Sequence, residues 1–166
     1  YYPIFNIKNA PIEGEIILIS PIDIEIIVHL NEANDATIVA TDERTWVVET
    51  DHDSKKIISP IISLKRTEQI VKSILNRHQV NFKINKTVLS QTSQILYSTE
   101  PYKTSLIGKR DFNTWFEQKR SLHSPLKSEQ LKAIEALLLH CQTTSVRRPE
   151  WEMDDDHLQL IIDEDV

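Results

Sequence analysis

The stretch Glu15-Ile16-Ile17-Leu18-Ile19-Ser20-Pro21-Ile22-Asp23-Ile24-Glu25-Ile26-Ile27-Val28-His29-Leu30 decides the fold of this chain. Glu15 to Ile19 is a mostly apolar run of strand length, the pattern of a strand covered on both faces. Ser20-Pro21-Ile22-Asp23 is a tight connection built from turn-forming residues. Beyond it, Ile24, Ile26, Val28 and Leu30 alternate with Asp23, Glu25, Ile27 and His29. A period of two puts the first set on one fully apolar face and the second on the opposite, more polar one.

Working outward, Tyr2 to Lys8 reads as a strand bounded by Pro3 and by Asn9-Ala10-Pro11. After a polar turn at 31–35 come strands at Ala36 to Ala40 and Arg44 to Glu49, the latter with Trp46 and Val48 on one face. Consecutive strands with short turns predict an antiparallel meander. Asp51 to Lys56 reads as a solvated loop. Ile70, Val71, Ile74 and Leu75 recur at helical spacing and predict a helix from about Leu64 to His78. Phe82 to Ser90 and Ser105 to Ile107 read as strands, the second ended by Gly108. Asp111 is the expected N-cap of a helix whose core face carries Phe112, Trp115 and Phe116. Ser124 with Pro125 opens a last helix, with Leu126, Ile134, Leu137 and Leu138 as its apolar stripe. The expected fold class is α/β (α+β), a central mixed β-sheet flanked by helices. The expected division is one domain over 1–142 and an acidic tail over 143–166, read as poorly ordered or as a docking segment.

With 166 residues, 40% hydrophobic and 27% charged, the chain can bury a core without staples. Its net charge of −6 weighs against broad nucleic-acid binding, which shows a basic face. The single cysteine, Cys141, forms no internal disulfide, and a reducing cytosol is the expected compartment. No apolar run reaches membrane-spanning length and no signal peptide is visible. The first residue is Tyr1, and a fragment of a longer chain is expected. The only two glycines, Gly14 and Gly108, exclude a P-loop or a dinucleotide fingerprint, which need glycine clusters.

From Gly14 to about Glu117 the order of motifs resembles the bacterial nuclease-related domain (NERD) of the PD-(D/E)xK nuclease superfamily. That family has an acid, a Thr/Ser-Pro step, a glycine turn and an apolar strand ending in Glu-x-Lys. A tryptophan, an Asn-Pro step, a helix and two strands follow. Here the corresponding residues are Glu15, Ser20-Pro21, Ile24 to Leu30, Trp46, Ser59-Pro60, the helix from Leu64, then Val88-Leu89 and Leu106-Ile107. The segments Arg66 to Leu75 and Leu126 to Trp151 are similar to a NERD-containing subfamily of unknown role. The resemblance implies a restriction-endonuclease-like fold.

The departures from the family pattern bear on chemistry. The first acid is Glu15, the second falls on Val28, the lysine on Leu30 and the turn glycine on Asp23. A site of this family holds Mg²⁺ on carboxylates, and the metal generates hydroxide and neutralises developing charge. Glu15 alone is a poor ligand set, so the resemblance implies a catalytically inactive module with structural or interaction duties. No cofactor is expected, with Mg²⁺ only if the site is active. The expected partner is a protein or an upstream segment of the same chain, in a cytoplasmic setting and with no membrane.

Two alternatives stay open. One is a nuclease with a rearranged site using Glu15 and acids such as Glu25 or Glu49. The other is a non-cleaving nucleic-acid binder, for which Arg147 and Arg148 beside Trp151 are the candidates. Several further groups have bland readings. Glu49, Asp51 and Asp53 read as solvated turn acids, as does Asp35. Lys55 and Lys56 have no spacing that brings them to a site. His29 reads as structural, His52 as part of an acidic loop, and His140-Cys141 as a helix end. Asp23 and Glu25 flank the vestigial positions from the opposite face.

Overall fold

The computed structural model describes residues 4–7, 10–13, 15–123 and 127–140, with side-chain surroundings for 15–123 and 128–138. The predicted cap and proline at Ser124 and Pro125, and the acidic tail with Arg147, Arg148 and Trp151, lie outside the described residues, as does Cys141.

The opening stretch forms β3 (Ile16–Ile19) and β4 (Ile24–His29), paired antiparallel. Before them, β1 (Ile4–Ile7) and β2 (Ala10–Glu13) make a separate two-stranded hairpin. The residues expected to bound the first strand therefore supply its partner. Then come β5 (Thr37–Val39), β6 (Thr45–Glu49) and β7 (Ser54–Ile58). α1 (Pro60–Arg77), β8 (Ile84–Leu89), β9 (Gln94–Leu96), β10 (Thr104–Ile107), α2 (Phe112–Arg120) and α3 (Lys127–His140) complete the order.

The strands divide into two larger mixed sheets, β10-β8-β4-β3 and β7-β6-β5-β9. The predicted meander is thus broken between β4 and β5, because β4 takes β8 as its other neighbour, in parallel. β3 is an edge strand, and only Ile17 of its residues is buried, so the cover expected on both its faces is incomplete. The Asp51-to-Lys56 segment is also not all loop. Its second half is β7, an edge strand whose Lys55 and Lys56 are of the kind that deters pairing with other chains. The mixed α/β class is as expected, with two larger mixed sheets in place of one central sheet.

α1 starts earlier than its apolar spacing predicts. Ser59 caps it, accepting a hydrogen bond from the Ile61 N–H at 3.3 Å, and Pro60 sits in its first turn. Its buried stripe, with Ile61, Leu64, Val71, Ile74 and Leu75, packs on β4 and β8. Ile24, Ile26, Val88, Ile38, Trp46 and Val48 join it in one core. α3 closes this side through Ala133, Ala136 and Leu137. Among the described residues no helix is long and apolar enough to cross a membrane.

The sheets approach closely at Gly108, just after β10. A Cβ there would lie 2.8 Å from the backbone N of Ile95 and 3.3 Å from the Ser93 carbonyl oxygen. Backbone cannot yield as a side-chain tip does, so Gly108→Ala is expected to cost about 1–2 kcal/mol in urea denaturation.

Candidate functional site

The positions singled out by the resemblance lie where strand parity predicts. Val28 and Leu30 are half-buried and pack against the core on the α1 side, with Ile24 and Ile26. Glu15 is half-buried just ahead of β3. Glu49 is exposed at the end of β6, in the other sheet. Among the described residues no three or more His, Cys, Asp or Glu side chains form a group able to hold a metal, so Glu15, Glu25 and Glu49 are not brought together. His29 and His52 are exposed, and Lys55 pairs with Glu32 at 2.9 Å.

The opposite face of β4 holds the polar arrangement. Asp23 and Glu25 are each only 3% exposed. The Ser20-to-Asp23 turn folds back on itself: Ser20 Oγ donates to Asp23 Oδ1 at 2.7 Å and accepts from the Asp23 N–H at 3.0 Å. The other Asp23 oxygen, Oδ2, accepts from Asn85 Nδ2 at 2.7 Å. Two residues along, Glu25 Oε1 accepts from the Thr87 hydroxyl and from Trp115 Nε1, the latter at 3.4 Å. Glu25 Oε2 meets Lys119 Nζ at 2.7 Å, a charge contact lying off the hydrogen-bond direction. The same ammonium is 3.9 Å from Asp23 Oδ2.

Parity explains the convergence. β4 and β8 run parallel with Glu25 opposite Asn85 and Ile27 opposite Thr87. Polar residues at i and i+2 on both strands therefore share a face. α2 supplies the rest from above, because Trp115 and Lys119 are four apart and so adjacent on one side of the helix.

α2 does not present an aromatic core face. None of its residues is buried, and Phe116 is 45% exposed. Phe112 instead stacks on Phe116, with ring centroids 6.2 Å apart. Asp111 stands at the N-cap position without a side-chain capping bond. The helix is held to the sheet by its indole N–H and its ammonium.

No family model, curated protein or solved structure matches this chain.

The chemistry is therefore read from geometry alone. All four carboxylate oxygens of Asp23 and Glu25 already face an O–H, an N–H or an ammonium. Mg²⁺ needs a near-octahedral shell of oxygen donors. With Lys119 seated on this pair, the residues do not fit that ion. What the arrangement does chemically is neutralise two buried carboxylates and dock α2.

A second buried pair occupies the other side of β8. Lys86, 5% exposed, places Nζ 2.8 Å from Glu68 Oε2 on α1, and Lys72 reaches Glu68 Oε1 at 3.2 Å. Burial alone would raise the Glu68 carboxyl. The hydrogen bonds and charges of Lys86 and Lys72 outweigh it and hold the group below its ordinary value of 4.5. Nothing in the apolar spacing of α1 or β8 marks this pair. The only sequence signal is a charged residue on the inward parity of an otherwise buried strand.

Proposed function

We propose that this chain is a non-hydrolytic, nuclease-related module of the NERD type, serving as a structural or protein-interaction domain in a bacterial cytosol. What supports the reading most is the state of β4. On one face, Val28 and Leu30 are packed into the apolar core. On the other, the carboxylates are closed off by Lys119 beneath α2. Neither face offers a reacting group to a phosphodiester. Apolar side chains exposed at the β7–α1 junction, Ile58 and Ile62, are the surface on which a protein partner is expected.

The test is incubation of the purified protein with single- and double-stranded DNA in the presence of Mg²⁺ or Mn²⁺. No cleavage above the protein-free control is expected. Metal-dependent cleavage that disappears in Glu15→Ala would overturn the reading.

One observation favours a second reading, a nuclease with a rearranged carboxylate site. Asp23 and Glu25 stand at i and i+2 on one face of a strand with a lysine beside them, an acid–acid–lysine set displaced to the other side of β4. Admitting a metal there would require Lys119 to release Glu25 Oε2 while staying beside the pair. Cleavage abolished by Glu25→Gln but retained in Glu15→Ala would establish it.

A further inference from the structure

We propose that the cleft between the C-terminal half of α1 and the loop leading into β8 binds a small organic phosphate with an aromatic or apolar body. The cleft has a volume of about 360 Å³, within the range of roughly 300–1,000 Å³ typical of small-molecule sites. Its construction is two-layered. Leu75, Val80, Phe82 and Ile84, all nearly buried, form an apolar floor. Lys72, Lys83 and Lys103 stand on the rim with the amide side chains of Asn76 and Asn81.

The charge is unusual for this chain. The rim carries three lysines against the single carboxylate of Glu68, in a protein of net charge −6. Glu68 repels an incoming anion little, because Lys72 and Lys86 both bind it. Among the described residues, Lys83 and Lys103 enter no ion pair; the Lys103 ammonium lies 5.6 Å from the centre of the exposed Tyr102 ring, a weak contact that a phosphate can replace. A point cation on a flexible stem suits a phosphate, and the apolar floor suits what the phosphate is attached to.

Lys103 is also placed at a conformational cost. Its φ is 49°, in the left-handed region that non-glycine residues seldom occupy. A turn closed by the Thr104 N–H on the Pro101 carbonyl at 3.1 Å and a bond from the Lys86 N–H to the Lys103 carbonyl at 3.2 Å hold it there. Strain kept at a rim residue is of the kind that accompanies ligand sites.

The experiment titrates phenyl phosphate, phenol and inorganic phosphate separately into the intact protein, followed by backbone-amide NMR shifts. Phenyl phosphate is expected to bind at least about tenfold more tightly than either half, with shifts clustered at Asn81 to Ile84 and at Lys103. The double variant Lys83→Ala/Lys103→Ala, which changes two exposed side chains, is expected to weaken it about tenfold or more. Lys65→Ala, in a separate cleft lined also by Trp46, Ile61 and Tyr102, and Glu25→Gln, in the carboxylate network, are expected to leave binding unchanged. Phenyl phosphate binding no tighter than inorganic phosphate would overturn the proposal. So would unchanged affinity in the double variant, or an equal loss in Lys65→Ala, which would report bulk charge.

Discussion

Replacing Lys119 with methionine is expected to destabilise the protein by about 3 kcal/mol, the cost of leaving a buried charge without its partner. The charge stranded is that of Glu25, 3% exposed, with Asp23 equally buried next to it. Thr87 and Trp115 still donate to Oε1, but neutral donors do not replace the ammonium at Oε2. Lys119 and Trp115 also make the polar side-chain contacts of α2 with Glu25, and no α2 residue is buried. The variant should therefore lose amide protection along Phe112–Arg120 before the rest of the fold opens.

Glu25→Gln keeps an acceptor for Thr87 while removing the charge, so the double variant Lys119→Met/Glu25→Gln should recover much of the loss. A double-mutant cycle from urea denaturation reads the coupling. Additivity within about 0.5 kcal/mol would show that the pair contributes nothing as a pair.

The second large effect is expected at Glu68. Removing its carboxylate by Glu68→Ala leaves Lys86 charged at 5% exposure, and about 3 kcal/mol of stability should be lost. The reverse change is milder. In Lys86→Met, Glu68 retains Lys72 at 3.2 Å and lies nearer solvent. The order of the two variants in urea midpoints is the check, and Lys86→Met costing more would contradict the assignment.

The same pair sets a pH dependence. The folded Glu68 carboxyl is held below its ordinary value of 4.5, so its contribution is complete above that value. It is lost as pH falls through the depressed one. The stability difference between the natural protein and Glu68→Gln should be full at neutral pH and narrow progressively in acid below about pH 4.5.

Much of this arrangement is readable from the chain, and the unread part has physical causes. Alternation along Ile24 to Leu30 places Val28 and Leu30 inward, because side-chain parity is a local property of a strand. It also puts Asp23 and Glu25 on the other face. Parity does not say what covers that face. The cover comes from Trp115 and Lys119, about ninety residues on, and the one local hint was the matching parity of Asn85 and Thr87 on β8. The start of α1 carries the Ser-Pro signature at Ser59-Pro60, the same signature as Ser124-Pro125, whereas the apolar spacing alone marks only the part from Leu64 onward. β7 reads as loop because edge strands wear charge, and β9 is three residues long, too short to show a period. The break between β4 and β5 is a choice of long-range partner, which turn lengths do not encode.

The tripeptide Asn85-Lys86-Thr87 faces two ways. Its outer members answer Asp23 and Glu25, and its middle member answers Glu68 across the sheet. A misalignment of β8 by one residue would exchange these roles. Lys86 would then face the carboxylates under α2, while Asn85 and Thr87 would turn into the apolar layer beneath α1 and Glu68 would lose its cation. Only one alignment of the two parallel strands closes both networks. These polar contacts act as a key for the assembly of the sheet, rejecting near-miss pairings that a purely aliphatic strand of isoleucines and valines would tolerate.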